Sequence, residues 1–185
     1  ILMIISPLLW VGLHNSTIVL SVLGLPSTFP SLSGLLHETL HLGSSIIYRG
    51  YWSPAYWLYG APLLNVGEVV LFIAGLFMLI NKPILRQNYF ILGALIVGSA
   101  LVILRGSVTI ALLVPLVYLV IAGGIYYLLD QWLTVFPRNP VARYIGIGLI
   151  CILAAFSAMY HLRAYYTAWP SNPKTKQVYT IKQPS

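Results

Sequence analysis

The stretch VTIALLVPLVYLVIAGGIYYLL, residues 108–129, carries no charged side chain. A run this long and apolar reads as a helix for a non-aqueous surrounding, because a bilayer core asks for about twenty apolar residues per helix. Three similar runs accompany it: 66–80 (VGEVVLFIAGLFMLI), 89–104 (YFILGALIVGSALVIL) and 144–160 (YIGIGLICILAAFSAMY). Glu68 and the boundary residue Asp130 are the only acids in or near them. Four such runs exceed what the core of a soluble domain of 185 residues needs.

Composition agrees. Hydrophobic residues make up 59% of the chain and charged ones 7%, against about 25% charged in ordinary soluble domains. The net charge of +7 is not a nucleic-acid signature, because the basic residues are scattered and mostly flank the apolar runs, where headgroups and topology signals require them. No nucleic-acid partner is expected. One cysteine, Cys151, allows neither an intrachain disulfide nor a thiolate metal cluster.

The reading is an all-α, polytopic integral membrane protein with four full transmembrane helices. Residues 1–13 are apolar but too short to span and lack a basic leader, so they read as the end of a truncated transmembrane helix and the chain as the C-terminal part of a longer protein. A loop follows at 14–65, then the four-helix region at 66–160 and a polar tail at 161–185 that is poorly ordered or a short extramembrane end. The loops around 81–88 and 130–143 carry Lys82, Arg86, Arg138 and Arg143, against Arg49 and Arg105 on the opposite side. That favours the first pair in the cytoplasm and the 14–65 loop outside, although Arg163, Lys174, Lys176 and Lys182 of the tail pull the other way.

Within the long loop, residues 31–47 (SLSGLLHETLHLGSSII) have helical period. Leu32, Leu35, Leu36, Leu40, Leu42, Ile46 and Ile47 share one face, and His37, Glu38, His41, Ser44 and Ser45 the other, as in an amphipathic helix lying in a membrane interface. Next come Tyr48, Tyr51, Trp52, Tyr56, Trp57 and Tyr59, either an interfacial aromatic belt or a stacking platform for a sugar or polyprenyl chain. Asn15-Ser16-Thr17 matches a glycosylation acceptor.

Three features bear on chemistry. His37-Glu38-Thr39-Leu40-His41 is an HExxH, which on a helix sets two histidines one turn apart for zinc, with Glu38 as base and Glu68 as the available third ligand. The alternative is simply the polar face of the helix. Glu68, one turn inside its run, is either half of a structural pair with Arg49 or Arg105 or a site residue. Arg105, in Leu104-Arg105-Gly106-Ser107, offers a guanidinium that binds phosphate in bidentate fashion or snorkels to headgroups. Gly93, Gly98, Gly123, Gly124, Gly146 and Gly148 offer close helix contacts.

Some of these parts, in this order, resemble a known family. Pro62-Leu63-Leu64-Asn65 opens a run that ends in Gly75-Leu76, Arg105 precedes Pro115 by ten residues, and Ala122-Gly123-Gly124-Ile125 follows. This resembles the C-terminal membrane half of the C-type, polyprenyl-phosphate-sugar-dependent glycosyltransferases, related to protein mannosyltransferases and the aminoarabinose transferases of lipid A. The similarity covers residues 35–125. It implies transfer of a sugar from a polyprenyl-phosphate donor to an extracytoplasmic acceptor, with no cofactor, in the plasma membrane or its equivalent. The implied partners are the lipid bilayer, the polyprenyl-phosphate-linked sugar and the N-terminal half of the same protein, whose first loop would hold the catalytic carboxylate. Only Arg105 is carried over, as a carrier-phosphate contact. Asn65 stands where that family commonly has an acid. The alternatives are a membrane zinc metallopeptidase using residues 37–41 and a non-catalytic membrane scaffold.

Overall fold

A computed structural model describes residues 17, 19–20, 23–50, 57–81, 86–104 and 109–180. The truncated helix expected at 1–13, the acceptor at Asn15 and Arg105 lie outside these residues. The described chain is 80% helix, with no strand among the described residues.

The elements are α1 (Leu32–Ile47), α2 (Val66–Asn81), α3 (Arg86–Ile103), α4 (Leu113–Val135) and α5 (Pro140–Arg163), followed by a π-helical turn at Ala164–Ala168, a single turn at Trp169–Ser171 and α6 (Pro173–Tyr179). Two helices are long and apolar enough to cross a membrane: Ile110–Val135 of 26 residues, which joins a 3-10 turn to α4, and Pro140–Ser171 of 32. The other two expected spans are shorter. α2 has 16 residues, which at about 1.5 Å per residue gives roughly 24 Å against a bilayer core of about 30 Å.

Polarity marked the ends of the runs, but helices end where caps and prolines act. α4 does not stop at Leu129; it continues through Asp130 to Val135, leaving residues 136–139 as the turn. Asn139 then caps α5, its side chain accepting from the Val141 and Ala142 N–H groups, with Pro140 in the first helical position, where a missing N–H costs nothing. Pro115 lies in the first turn of α4, where a proline is tolerated. The polar tail read from residue 161 is not a separate end. α5 runs on to Arg163, and helical turns continue to Tyr179, with Tyr165 and Trp169 stacked at 5.3 Å.

The chain divides into two compact units. In one, Ile1–Leu42 with Leu85–Val117, Gly98 of α3 faces Leu113, so that a Cβ there would lie 3.0 Å from its Cδ2. The other, Gly43–Ile84 with Tyr118–Ser185, holds α2, most of α4 and α5. α2 buries Glu68, Leu71, Phe72, Gly75 and Leu79 along one stripe. Against it, α4 presents Gly124: a Cβ on Gly75 would meet the Val120 carbonyl oxygen at 2.0 Å, and one on Gly124 would meet the Leu71 oxygen at 2.0 Å. The two backbones touch with no side chain between them. α5 turns Ala142 and Gly146 inward, Gly146 under the Trp132 indole, whose Nε1 donates to the Ala142 carbonyl at 2.8 Å. Most of α5 is otherwise bare: Ile145, Leu149, Ile152, Phe156 and Met159 are exposed.

The end of α1 is tied to the approach to α2. Leu63 and Leu64 donate their N–H groups to the Ser45 and Ile46 carbonyls, both at 3.0 Å. On α1 itself the leucine face is open. Leu32, Leu36, Leu40 and Ile47 are exposed, while Ser45 and Leu42 are buried. His37 of the polar face is exposed as well, so burial on α1 does not follow the split between apolar and polar faces expected of a helix packed on a core in water.

Candidate functional site

The site grows from the start of α2. Asn65-Val66-Gly67-Glu68 is a reciprocal cap: Glu68 N–H donates to Asn65 Oδ1 at 3.0 Å, and Asn65 N–H donates to Glu68 Oε2 at 2.8 Å. This satisfies two donors that a helix start leaves open. It also fixes the carboxylate at one place and in one orientation.

Three more side chains converge on that carboxylate, each delivered by helix geometry. Ser157 and His161, four residues apart, share the inner seam of α5, and Tyr118 stands in the second turn of α4. His161 Nε2 lies 2.8 Å from Oε1 and 3.0 Å from Oε2. Tyr118 donates its hydroxyl to Oε1 at 3.3 Å, with its oxygen 3.0 Å from Nε2. Ser157 donates its hydroxyl to Oε1. Glu68 is 3% exposed. A buried carboxylate only accepts, so it needs this ring of donors to offset its desolvation. Ser157 bonds the acid and not the imidazole, so the geometry does not activate a serine nucleophile.

The cluster borders a cavity of about 330 Å³ whose other walls include Leu71, Ile121, Ile125, Ile150 and Leu153. The volume falls within the usual range for small-molecule sites. Glu68 sits in the first turn of α2, Tyr118 near the start of α4 and His161 in the last turn of α5, so the polar groups share one end of the helices. The apolar walls continue from there toward mid-helix. The result is a greasy slot with a polar mouth. Beside the mouth, the Trp57 and His161 rings are 6.4 Å apart. Asn65 Nδ2 and Trp57 Nε1 are buried donors with no partner among the described residues.

Sequence reasoning singled out Glu68 and offered it arginine partners or a zinc ion; the structure gives it His161, Ser157 and Tyr118 instead. His161 was missed because residue 160 was taken as the end of the last run, and Ser157 because it lies inside that run as one polar residue among apolar ones. The signal was present: Ser157 and His161 are polar residues at helical spacing beside an otherwise apolar seam. His37 and His41 do stack one turn apart, with ring centroids 4.3 Å apart, and His37 Nδ1 lies 3.6 Å from Glu38 Oε1. Among the described residues no group of three or more His, Cys, Asp or Glu could hold a metal ion, and both Glu68 oxygens are committed to their own ring of donors.

Compared with known proteins, the chain matches no family model, no curated protein and no solved structure.

Proposed function

We propose that this chain is a multi-pass membrane protein that forms the lipid-carrier-binding membrane part of a polyprenyl-phosphate-sugar-dependent glycosyltransferase, acting in the plasma membrane or its equivalent. The observation that carries the reading is the slot between α2, α4 and α5. It offers an amphipathic guest an apolar lining of Leu71, Ile121, Ile125, Ile150 and Leu153 and a polar mouth at Glu68, Tyr118, Ser157 and His161. A polyprenyl chain with a polar head has that division.

Two further observations favour the reading. The bare faces of α1 and α5 suit lipid contact, since exposed leucine and isoleucine in rows have no place in water. Of the residues that carry the resemblance, Gly75 and Gly124 meet at the α2–α4 contact, and Asn65 caps α2. Arg105, outside the described residues, is kept as the proposed contact for the carrier phosphate on the sequence resemblance alone.

The test is retention of lipid by the purified chain in nanodiscs, read by native mass spectrometry with polyprenyl phosphate and with the matching polyprenol. One polyprenyl phosphate per chain is expected. Leu153→Trp, which fills the slot, should abolish retention of both lipids, and Arg105→Gln should weaken only the phosphorylated one. Retention unchanged by Leu153→Trp and by Ile125→Trp would remove the slot as the carrier site.

A further inference from the structure

We infer that the α4–α5 hairpin carries a second lipid site, for the phosphate headgroup of an anionic membrane phospholipid. The inference rests on the membrane reading above. It concerns the end of α4 and the start of α5, opposite the Glu68 cluster along both helices.

Residues 136–139 make the hairpin turn, and beside them opens a cleft of about 370 Å³. Arg138 and Arg143 both line it, with Leu133, Phe136, Asn139 and Tyr144 around them, and no acidic side chain does. Neither arginine has an acidic partner among the described residues, where the ion pairs are His37–Glu38 and His161–Glu68. Two guanidiniums that line one cleft can share a single anion between them. The α5 start is not the source of attraction, because Asn139 already takes the Val141 and Ala142 N–H groups. The arginine forks remain, and they match the oxygens of a phosphate in bidentate fashion.

The setting selects a lipid over free phosphate. Leu133, Phe136 and Tyr144 give the cleft an apolar wall, which inorganic phosphate does not use and a glycerol backbone with acyl chains does. The cleft also lies at the ends of the two helices long enough to cross a membrane, the depth at which headgroups sit and at which basic side chains attract anionic lipid.

The experiment uses the full chain in two stages. Flotation with phosphatidylcholine vesicles comes first, and the chain should float with them. If it does not, the membrane reading fails and this inference fails with it. Native mass spectrometry then compares phosphatidylglycerol, phosphatidylcholine and inorganic phosphate as probes. One phosphatidylglycerol should be retained in preference to phosphatidylcholine, and the Arg138→Gln/Arg143→Gln variant should bind it about tenfold more weakly or worse. Arg163→Gln, at the other end of α5, should not change retention. If the double variant loses its helical circular dichroism, Arg138→Lys/Arg143→Lys replaces it: charge persists, the forks do not, and retention should fall by about threefold or more. Flotation without preference for phosphatidylglycerol, or a preference untouched by both arginine pairs, would sink this site and leave the slot reading intact. Displacement of the lipid by millimolar inorganic phosphate would reassign the cleft to free phosphate and overturn the lipid assignment.

Discussion

α4 is joined to α2 and to α5 in opposite ways. Against α2 it uses bare backbone: Gly75 and Gly124 bring the chains so close that a single Cβ would sit 2.0 Å from a carbonyl oxygen. Against α5 it uses polar pins at the two ends, Tyr118 with His161 at one, both of them on the α2 carboxylate of Glu68, and Trp132 with the Ala142 carbonyl at the other. Between those pins α5 is largely uncovered. On the proposed membrane reading the contrast has a physical source. Lipid tails are as apolar as leucine, so helices in a bilayer gain nothing by hiding greasy side chains from water. They gain from dense backbone contact or from hydrogen bonds that lipid cannot replace. One contact tolerates no added atom; the other tolerates many, provided its pins stay.

The strongest way to break that contrast is to add bulk at the backbone contact. Gly124→Leu pushes side chain into the Leu71 carbonyl, and neither partner is a flexible tip that can move aside. Loss of folded protein is expected, a cost of about 4 kcal/mol or more. Size-exclusion profile and thermal unfolding in detergent read it. A variant that folds with an unchanged midpoint would show that α2 and α4 do not meet through backbone.

Removing the central acceptor of the polar pin comes next. Glu68→Ala leaves the Asn65 N–H, the Ser157 and Tyr118 hydroxyls and the His161 Nε2 without their common partner. The expected loss is about 3 kcal/mol by thermal or denaturant unfolding. Glu68→Gln keeps an acceptor oxygen but turns an NH₂ toward donors, and should lose about half as much. Equal, small losses in both would mean that the cluster does not hold α5 in place.

Trp132→Phe tests the other pin alone. The ring still covers Gly146, but the 2.8 Å bond from Nε1 to the Ala142 carbonyl is gone. The expected cost is about 1 kcal/mol, additive with Glu68→Gln because the two lie at opposite ends of α5. A double variant far weaker than the sum would show that the two pins act as one.

How much of this was legible in the sequence depends on the kind of contact. Helical segments were readable because each run announces itself by apolar composition, and the 31–47 period matches α1. Ends were not, because polarity and helix termination are different properties: Asp130 sits within α4, and His161 within α5. The reciprocal cap at Asn65 and Glu68 follows a readable pattern of Asn with Glu three residues on, yet the acid was weighed only for its charge. Its partners Tyr118, Ser157 and His161 lie far away in sequence, and no local pattern links them. The glycines show the same limit. Gly98, Gly123, Gly124 and Gly146 do face neighbours closely, while Gly93 and Gly148 have nothing within 4 Å. Composition names the small residues; only packing says which face carries a partner.

Gly148 supplies the finest test of the contrast for that reason. It lies two residues from Gly146 on α5, so the two point to different faces of the helix. A Cβ on Gly146 would meet the Trp132 ring at 2.7 Å, and one on Gly148 would meet nothing. Gly148→Leu should change stability by no more than about 0.5 kcal/mol, and the higher helix propensity of leucine tilts even that toward gain. Gly146→Leu in the same assay should lose clearly more, because the indole must move and its bond to Ala142 stretches. If Gly148→Leu proved as costly as Gly146→Leu, the outer face of α5 would carry a partner of its own. The helix held only at its ends would then be a packed one.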